Sequence, residues 1–292
     1  MSAWDKLSPK AHVSFLRQNQ ERVHATRDFC FALQSIPDPV SAELLKVQDP
    51  VDRLGWCIFS AAIHQGIPLA NVALVLAELM PEFPQRSCWA LPVPKEKQVL
   101  ATLARLHWTQ GWSLLEHIPG ILLGVGQWMR QAGEDPLAYV QKQTSAQLWS
   151  SFASIYFMGK SSVIRPKALE LLMRLRMQSP LGMGLHIEDA PLRSGECWPL
   201  PISMGARRWL RSFGPDPRRW MEAHSEVERL RYFQKMFQGL SKENPEIIAH
   251  GLSFFLEADG TELLCRKALQ GCYHCPLAAL SPLSPSCPRR TV

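Results

Sequence analysis

No run of 18 or more residues in this 292-residue chain is free of polar interruption, which excludes a membrane-spanning helix on apolarity alone. The nearest approach, Ile67 to Met80, carries Asn71 and Glu78 and reads as a core helix. The opening Met1-Ser-Ala-Trp-Asp-Lys lacks a basic stretch followed by an apolar one, so no secretory signal is expected. A cytoplasmic location and reduced thiols are the corresponding expectations. Runs of β-branched residues with period two are missing, and no internal repeat stands out. Charged residues make up 20% of the chain and apolar ones 46%; that balance excludes wholesale disorder and collagen-like or low-complexity arrays.

What is present is one helical pattern after another. Asp49-Pro-Val-Asp-Arg opens an apolar-periodic segment through Ile63, with an acidic first turn and Gly66 as terminator. Pro68 suits a first helical turn, and Ala70 to Met80 continues the spacing. Pro81 to Pro94 holds four prolines and reads as a loop. Further helices are expected over 95–106, 112–132, 135–142, 145–157 and 166–177. After a Gly/Pro-rich insertion from Ser179 to Pro201 they continue over 203–213, 217–239, 245–257 and 261–270. The expectation is an all-α fold. Trp108, Trp112, Trp128 and Trp149, at helical spacing, are expected in the core; Trp209 and Trp220 are flanked by arginines.

The net charge of +6 sits entirely in the second half. Residues 1–144 hold 13 basic and 13 acidic side chains, which leaves 19 basic and 13 acidic for 145–292. Arg165, Lys167, Arg174, Arg176, Arg207, Arg208, Arg211, Arg218 and Arg219 cluster there. A localised basic surface is the electrostatic footprint of a nucleic-acid binder; a solvated face of several helices accounts for it equally well.

Cys30, Cys57, Cys88 and Cys197 are scattered and read as small buried residues or loop thiols. The other four are crowded: Cys265, Cys272, Cys275 and Cys287 form C-x6-C-x2-C-x11-C. A C-x2-C pair presents two thiolates to one metal across a tight turn, and four thiolates close a site for zinc or an iron–sulfur cluster.

The spacing of the first three of these cysteines, with Cys275-Pro276-Leu277, resembles the motif that follows the last core helix of endonuclease III and the adenine DNA glycosylases. Those proteins carry C-x6-C-x2-C-x5-C. Here Ser281 stands at the fourth place, and Cys287 has to reach back from the tail. The segment order over about 45–287 is also similar to the helix-hairpin-helix glycosylase superfamily. Asp49 to Gly66 resembles its early helix, Phe152 to Met177 its hairpin and following helix, Leu200 to Leu210 the segment after that, and Ile247 to Leu252 the helix before the cluster.

The resemblance implies two helical subdomains with a groove between them. One is a central, six-helix barrel-like domain containing the hairpin (49–178); the other is built from residues 1–48 and 203–292, with 179–202 as an insertion. It implies a monomer that binds double-stranded DNA, extrudes a damaged or modified base, and holds a 4Fe-4S cluster on Cys265, Cys272, Cys275 and Cys287, with structural zinc as the alternative. In bifunctional members a lysine just after the hairpin attacks C1′ and forms a Schiff base. Lys167 matches that position, and Lys160 is the second choice. Gly159, Ser161, Ser162 and Arg165 occupy the hairpin that grips a phosphate, with Arg207 and Arg208 as further DNA contacts. His64 and Gln65 match the place of a residue that fills the gap left by the extruded base. The family's catalytic aspartate is replaced by Ser203, and a hydroxyl supplies no negative charge; a substitute carboxylate would have to come from elsewhere, for example Asp189 or Glu170, and nothing in the sequence selects one. The alternative is a degenerate member that binds DNA or a protein partner without base excision. The glycine-containing stretch His117 to Gly126 reads as a core helix start with glycines for close packing.

Overall fold

A computed structural model of the chain describes residues 20–65, 67–83, 89, 96–158, 166–187, 200–201, 206, 228, 236–241 and 244–256. Among them the architecture is all-α, with no β-strand. No helix of the described residues is long and apolar enough to cross a membrane. The chain divides into two compact units, Met1–Ile36 with Pro199–Val292, and Pro37–Trp198.

In the unit Pro37–Trp198 the helices are α2 (Pro39–Leu44), α3 (Pro50–Ile63), α4 (Leu69–Glu82), α5 (Glu96–Leu103), α6 (Ile118–Gln131), α7 (Pro136–Lys142), α8 (Ser145–Phe152) and α9 (Pro166–Arg176). Two 3-10 turns, His107–Gly111 and Leu115–His117, lie between α5 and α6. Three of these helices open the same way, with Asp before Pro at Asp38-Pro39, Asp49-Pro50 and Asp135-Pro136. The aspartate side chain accepts from free backbone N–H groups of the first turn, and proline has no N–H there to leave orphaned. Thr144 and Gln147 close α8 with reciprocal bonds between side chain and backbone, a capping box.

Helix α3 is the centre of this unit. Every residue from Leu54 to Ile63 is buried, as expected of a helix covered on all sides, and it packs against α2, α4, α6, α7 and α9. Trp89 lies over Gly55, with its ring 4.9 Å from that of Trp56 and its indole N–H donating to Asp52 at 2.7 Å.

In the other unit α1 (Gln20–Leu33) packs against α10 (Pro245–Leu256). The Cys30 thiol lies 3.8 Å from the Ile248 carbonyl, and Gly251 faces Cys30 so closely that a methyl group there would meet Sγ at 2.7 Å.

Several boundaries differ from the sequence expectation. Helix α4 runs through Pro81 to Glu82, because a proline in the last turn forfeits one bond while Phe83 just beyond it is buried. The expected 112–132 helix starts only at Ile118, where Pro119 in the first turn restarts it after a 3-10 stretch. The expected 145–157 helix stops at Phe152, and the chain turns through Phe157 at φ 67°. That left-handed conformation is uncommon outside glycine, and the Gln65 side-chain amide holds it by donating to the Phe157 carbonyl at 2.7 Å. Of the tryptophans expected in the core, Trp128 is buried and bonds Ser151, whereas Trp108, Trp112 and Trp149 are half-buried. The glycines of the 118–131 segment do serve close packing. A methyl group on Gly124 would sit 3.1 Å from the Tyr156 backbone nitrogen, and one on Gly120 would sit 3.2 Å from the Tyr156 ring.

Candidate functional site

Helix α9 begins at Pro166 and buries Ala168, Leu169, Leu171, Leu172, Met173 and Leu175. Within this apolar helix Lys167, Glu170 and Arg174 recur at i, i+3 and i+7, which places them on one face. Taking charged groups out of water is costly unless each finds a partner. Here each has one.

The Lys167 Nζ lies 3.4 Å from Glu170 Oε2, with the lysine side chain 23% exposed and the glutamate 18%. The other carboxylate oxygen, Oε1, lies 2.7 Å from Nδ1 of His64, whose side chain is 14% exposed. His64 sits just past the end of α3, where its backbone N–H bonds Ser60 and its non-helical conformation turns the chain out of the helix. Burial by itself would push the Glu170 carboxyl up. The adjacent His64, the Lys167 ammonium and the Arg174 guanidinium outweigh it and hold the group well below the usual carboxylate range. An ionised carboxylate only accepts hydrogen bonds, so the proton on this face of the imidazole belongs to Nδ1.

One turn further along α9, Arg174 donates to Asp38 Oδ2 at 2.9 Å and to the Ser41 hydroxyl oxygen. Asp38 is the same residue that caps α2, accepting from the backbone of Val40 and Ser41 at 2.9 and 3.0 Å. Burial works against the guanidinium's charge, but Asp38, Cys57 and Glu170 raise its basicity further above the ordinary value. Arg174 therefore does not belong to the basic surface inferred from the sequence. It is buried, and its charge is spent on an internal aspartate.

On the other side of His64, Gln65 donates to the carbonyls of Ala62 and Phe157, both at 2.7 Å. Phe157, Tyr156 and His117 form an aromatic corner with ring centroids 4.6 Å (Tyr156–Phe157) and 4.7 Å (His117–Phe157) apart, and the Tyr156 hydroxyl lies 3.2 Å from His117 Nδ1. Tyr156 is among the exposed large side chains. Consecutive residues at the end of α3 thus hold two features, His64 the charged face of α9 and Gln65 the aromatic corner.

Of the residues expected at the site, Lys167, His64 and Gln65 are described, and the structure brings Lys167 and His64 together through Glu170. Glu170 is also one of the two carboxylates named as substitutes for the family's aspartate. Asp189, Lys160, Gly159, Ser161, Ser162, Arg165, Ser203, Arg207, Arg208, Trp209 and Trp220 lie outside the described residues, as do Cys265, Cys272, Cys275 and Cys287. Cys30 and Cys57 are buried free thiols. Among the described residues no group of three or more His, Cys, Asp or Glu side chains could hold a metal ion. The Asp38–Arg174 pair and the aromatic corner were not apparent from the sequence. Both join residues far apart in the chain and have no local spacing signal.

Comparison of the chain with protein-family models, with curated proteins and with solved structures gave no match.

Proposed function

We propose that the chain is a DNA glycosylase that acts on a damaged or modified base extruded from duplex DNA, with Lys167 as the attacking amine and Glu170 as the anion beside it. The observation that carries this reading is the 3.4 Å approach of Lys167 Nζ to a carboxylate at the start of a half-buried helix. Hydrolysis of an N-glycosidic bond passes through an oxocarbenium-like state, which a fixed negative charge stabilises and a hydroxyl such as that of Ser203 does not. Glu170 is held ionised by its neighbours and supplies that charge.

In its deprotonated form the amine bonds to C1′ as the glycosidic bond breaks; the bonding electrons leave with the base, which takes up a proton. The nitrogen then gives up a proton, the C1′–O4′ bond opens with a proton added to O4′, and an iminium joins Lys167 to the sugar. Elimination of the 3′ phosphate from that iminium is the accompanying lyase activity. Gly159, Ser161, Ser162, Arg165, Arg207 and Arg208 are the proposed DNA contacts, with Lys160 as the alternative amine. Cys265, Cys272, Cys275 and Cys287 are the proposed ligands of a 4Fe-4S cluster, for which a band near 400 nm distinguishes iron–sulfur from zinc. The protein is proposed to be cytoplasmic.

Borohydride trapping on a panel of lesion-bearing duplexes tests the reading. A covalent adduct is expected with the wild-type chain, lost in Lys167→Ala and formed about 10²-fold more slowly in Glu170→Gln. No adduct on any duplex, or an undiminished one in Lys167→Ala, overturns it. The same ion pair favours a second reading, DNA or protein binding without excision, because an ammonium held by a carboxylate is a poor nucleophile. Salt-dependent DNA binding without release of any base is its signature.

A further inference from the structure

We propose that His64 is the positioning residue of this site: its imidazole fixes the Glu170 carboxylate in the orientation that faces Lys167. The inference rests on the reading of Lys167 as the reactive amine. It departs from the role that position implied, filling the gap beside an extruded base.

The geometry carries the argument. Glu170 divides its two oxygens, Oε1 to His64 at 2.7 Å and Oε2 to Lys167 at 3.4 Å. The histidine contact is the shorter by far, so it sets where the carboxylate points. Lys167 and Glu170 lie three residues apart on one helix, and such pairs on their own are weak, adaptable contacts. A second helix has to supply the constraint, and α3 does so through a residue at its very end.

Among the described residues no other neighbour takes over. Arg174, one turn along the same helix, is turned to Asp38 and Ser41 and contributes charge but no hydrogen bond to Glu170. Asp38 is occupied with that arginine and with the cap of α2. Cys57, on α3, is a buried thiol pushed up to about 12 and exchanges no proton near neutrality. Among the described residues, the charged and titratable groups around the carboxylate are therefore His64 at the end of α3, Cys57 from α3, Asp38 from the start of α2, and Lys167 and Arg174 from α9. Without the imidazole, burial would work on Glu170 against Lys167 and Arg174 alone, and the carboxyl would bind a proton at a higher pH.

The test follows the Glu170 carboxyl itself. In the full chain labelled with carbon-13 at the glutamate carboxyls, the Glu170 signal is identified by its disappearance in Glu170→Gln. Its titration is then compared in wild type, His64→Asn and His64→Phe, each checked for native helix content by circular dichroism. Asparagine keeps a donor but no charge, and it remains available if phenylalanine prevents folding. The expected result is a Glu170 midpoint raised by about one pH unit or more in either variant, with the acid limb of borohydride trapping moving by the same amount. An unchanged Glu170 midpoint in folded variants overturns the proposal. So does trapping that falls equally at every pH, since a purely structural loss has no pH signature. Wild-type protein that traps no DNA at any pH refutes the glycosylase reading instead, and the carboxyl titration still decides the role of His64.

Discussion

Asp38 and Arg174 meet at 2.9 Å across 136 positions of the chain, with side chains 0% and 7% exposed. The contact ties the first helix of the Pro37–Trp198 unit to the last described one, and the Ser41 hydroxyl adds to it by lying within 3.0 Å of the Leu181 carbonyl. A buried pair of this kind gives little net stability over an apolar replacement, yet it is expensive to break from one side.

Arg174→Met is therefore expected to cost about 3–5 kcal/mol of unfolding free energy, because it strands a buried carboxylate. Asp38→Asn retains the cap acceptor but leaves the guanidinium unpaired, and should fall in the same range. The double variant should cost less than the sum of the two. Urea unfolding followed by circular dichroism measures all three; additive single effects would show that the pair is not a unit.

The Glu170 carboxyl gives a pH prediction whose sign is set by its lowered folded-state pKa. The folded chain binds fewer protons at this site than the unfolded chain, so stability rises with pH wherever the unfolded carboxyl titrates. Glu170 contributes fully above its ordinary unfolded value of about 4.3. That contribution falls as the pH drops below this value and disappears once the pH passes the lower folded value. Glu170→Gln should flatten the acid limb of a stability–pH profile while leaving its shape above pH 6 nearly unchanged. A wild-type slope between pH 5 and pH 3 that survives the substitution would assign the acid sensitivity to other carboxylates.

How much of this was legible beforehand depends on the distance over which each feature is encoded. The Asp-Pro starts of α3 and α7 and the long apolar period of α4 are written within a few residues, and the helices are there. Helices α1 and α2 escaped. The first is crowded with Glu21, Arg22, His24, Arg27 and Asp28, and its buried Val23, Cys30 and Leu33 share one face but are too few and too widely spaced to stand out among them. The second has only six residues, too few for a period to show. The end of α8 was misplaced because a left-handed phenylalanine, held by a glutamine 92 positions away, has no local signature. At the candidate site, the resemblance pointed to Lys167, and nothing in the sequence selected a carboxylate such as Glu170 or Asp189 to stand beside it. The α3–α9 contact, which brings His64 to Glu170 across 106 positions, has no local signal either, and Asp189 lies outside the described residues.

The two described thiols should be chemically silent in the native state. Burial raises both Cys30 and Cys57 above the ordinary thiol range; around Cys57 the Arg174 charge opposes this, while Asp38 and Glu170 reinforce it. Thiolate is the reactive form. Iodoacetamide at pH 8 should therefore leave these two unmodified until the chain unfolds, as read by mass spectrometry of the peptides containing them. Rapid native labelling of Cys57 would mean that α3 is not covered as described.

The α1–α10 contact depends on a missing methyl group. At Gly251 an added Cβ would lie 2.7 Å from Cys30 Sγ, 2.8 Å from its Cβ and 3.0 Å from its Cα. The first of these atoms is a side-chain end that can be removed, but the last belongs to the backbone of α1 and cannot move without the helix. Gly251→Ala should gain a few tenths of a kcal/mol up to about 1 from helix propensity and lose about 1–3 from overpacking, a net destabilisation. Adding Cys30→Ala removes only the sulfur clash, so it should recover part of that loss and no more. A double-mutant cycle in urea separates the outcomes. Full recovery would mean that the helices are held apart by the sulfur alone, and no loss in Gly251→Ala would mean that α1 and α10 have room to spare.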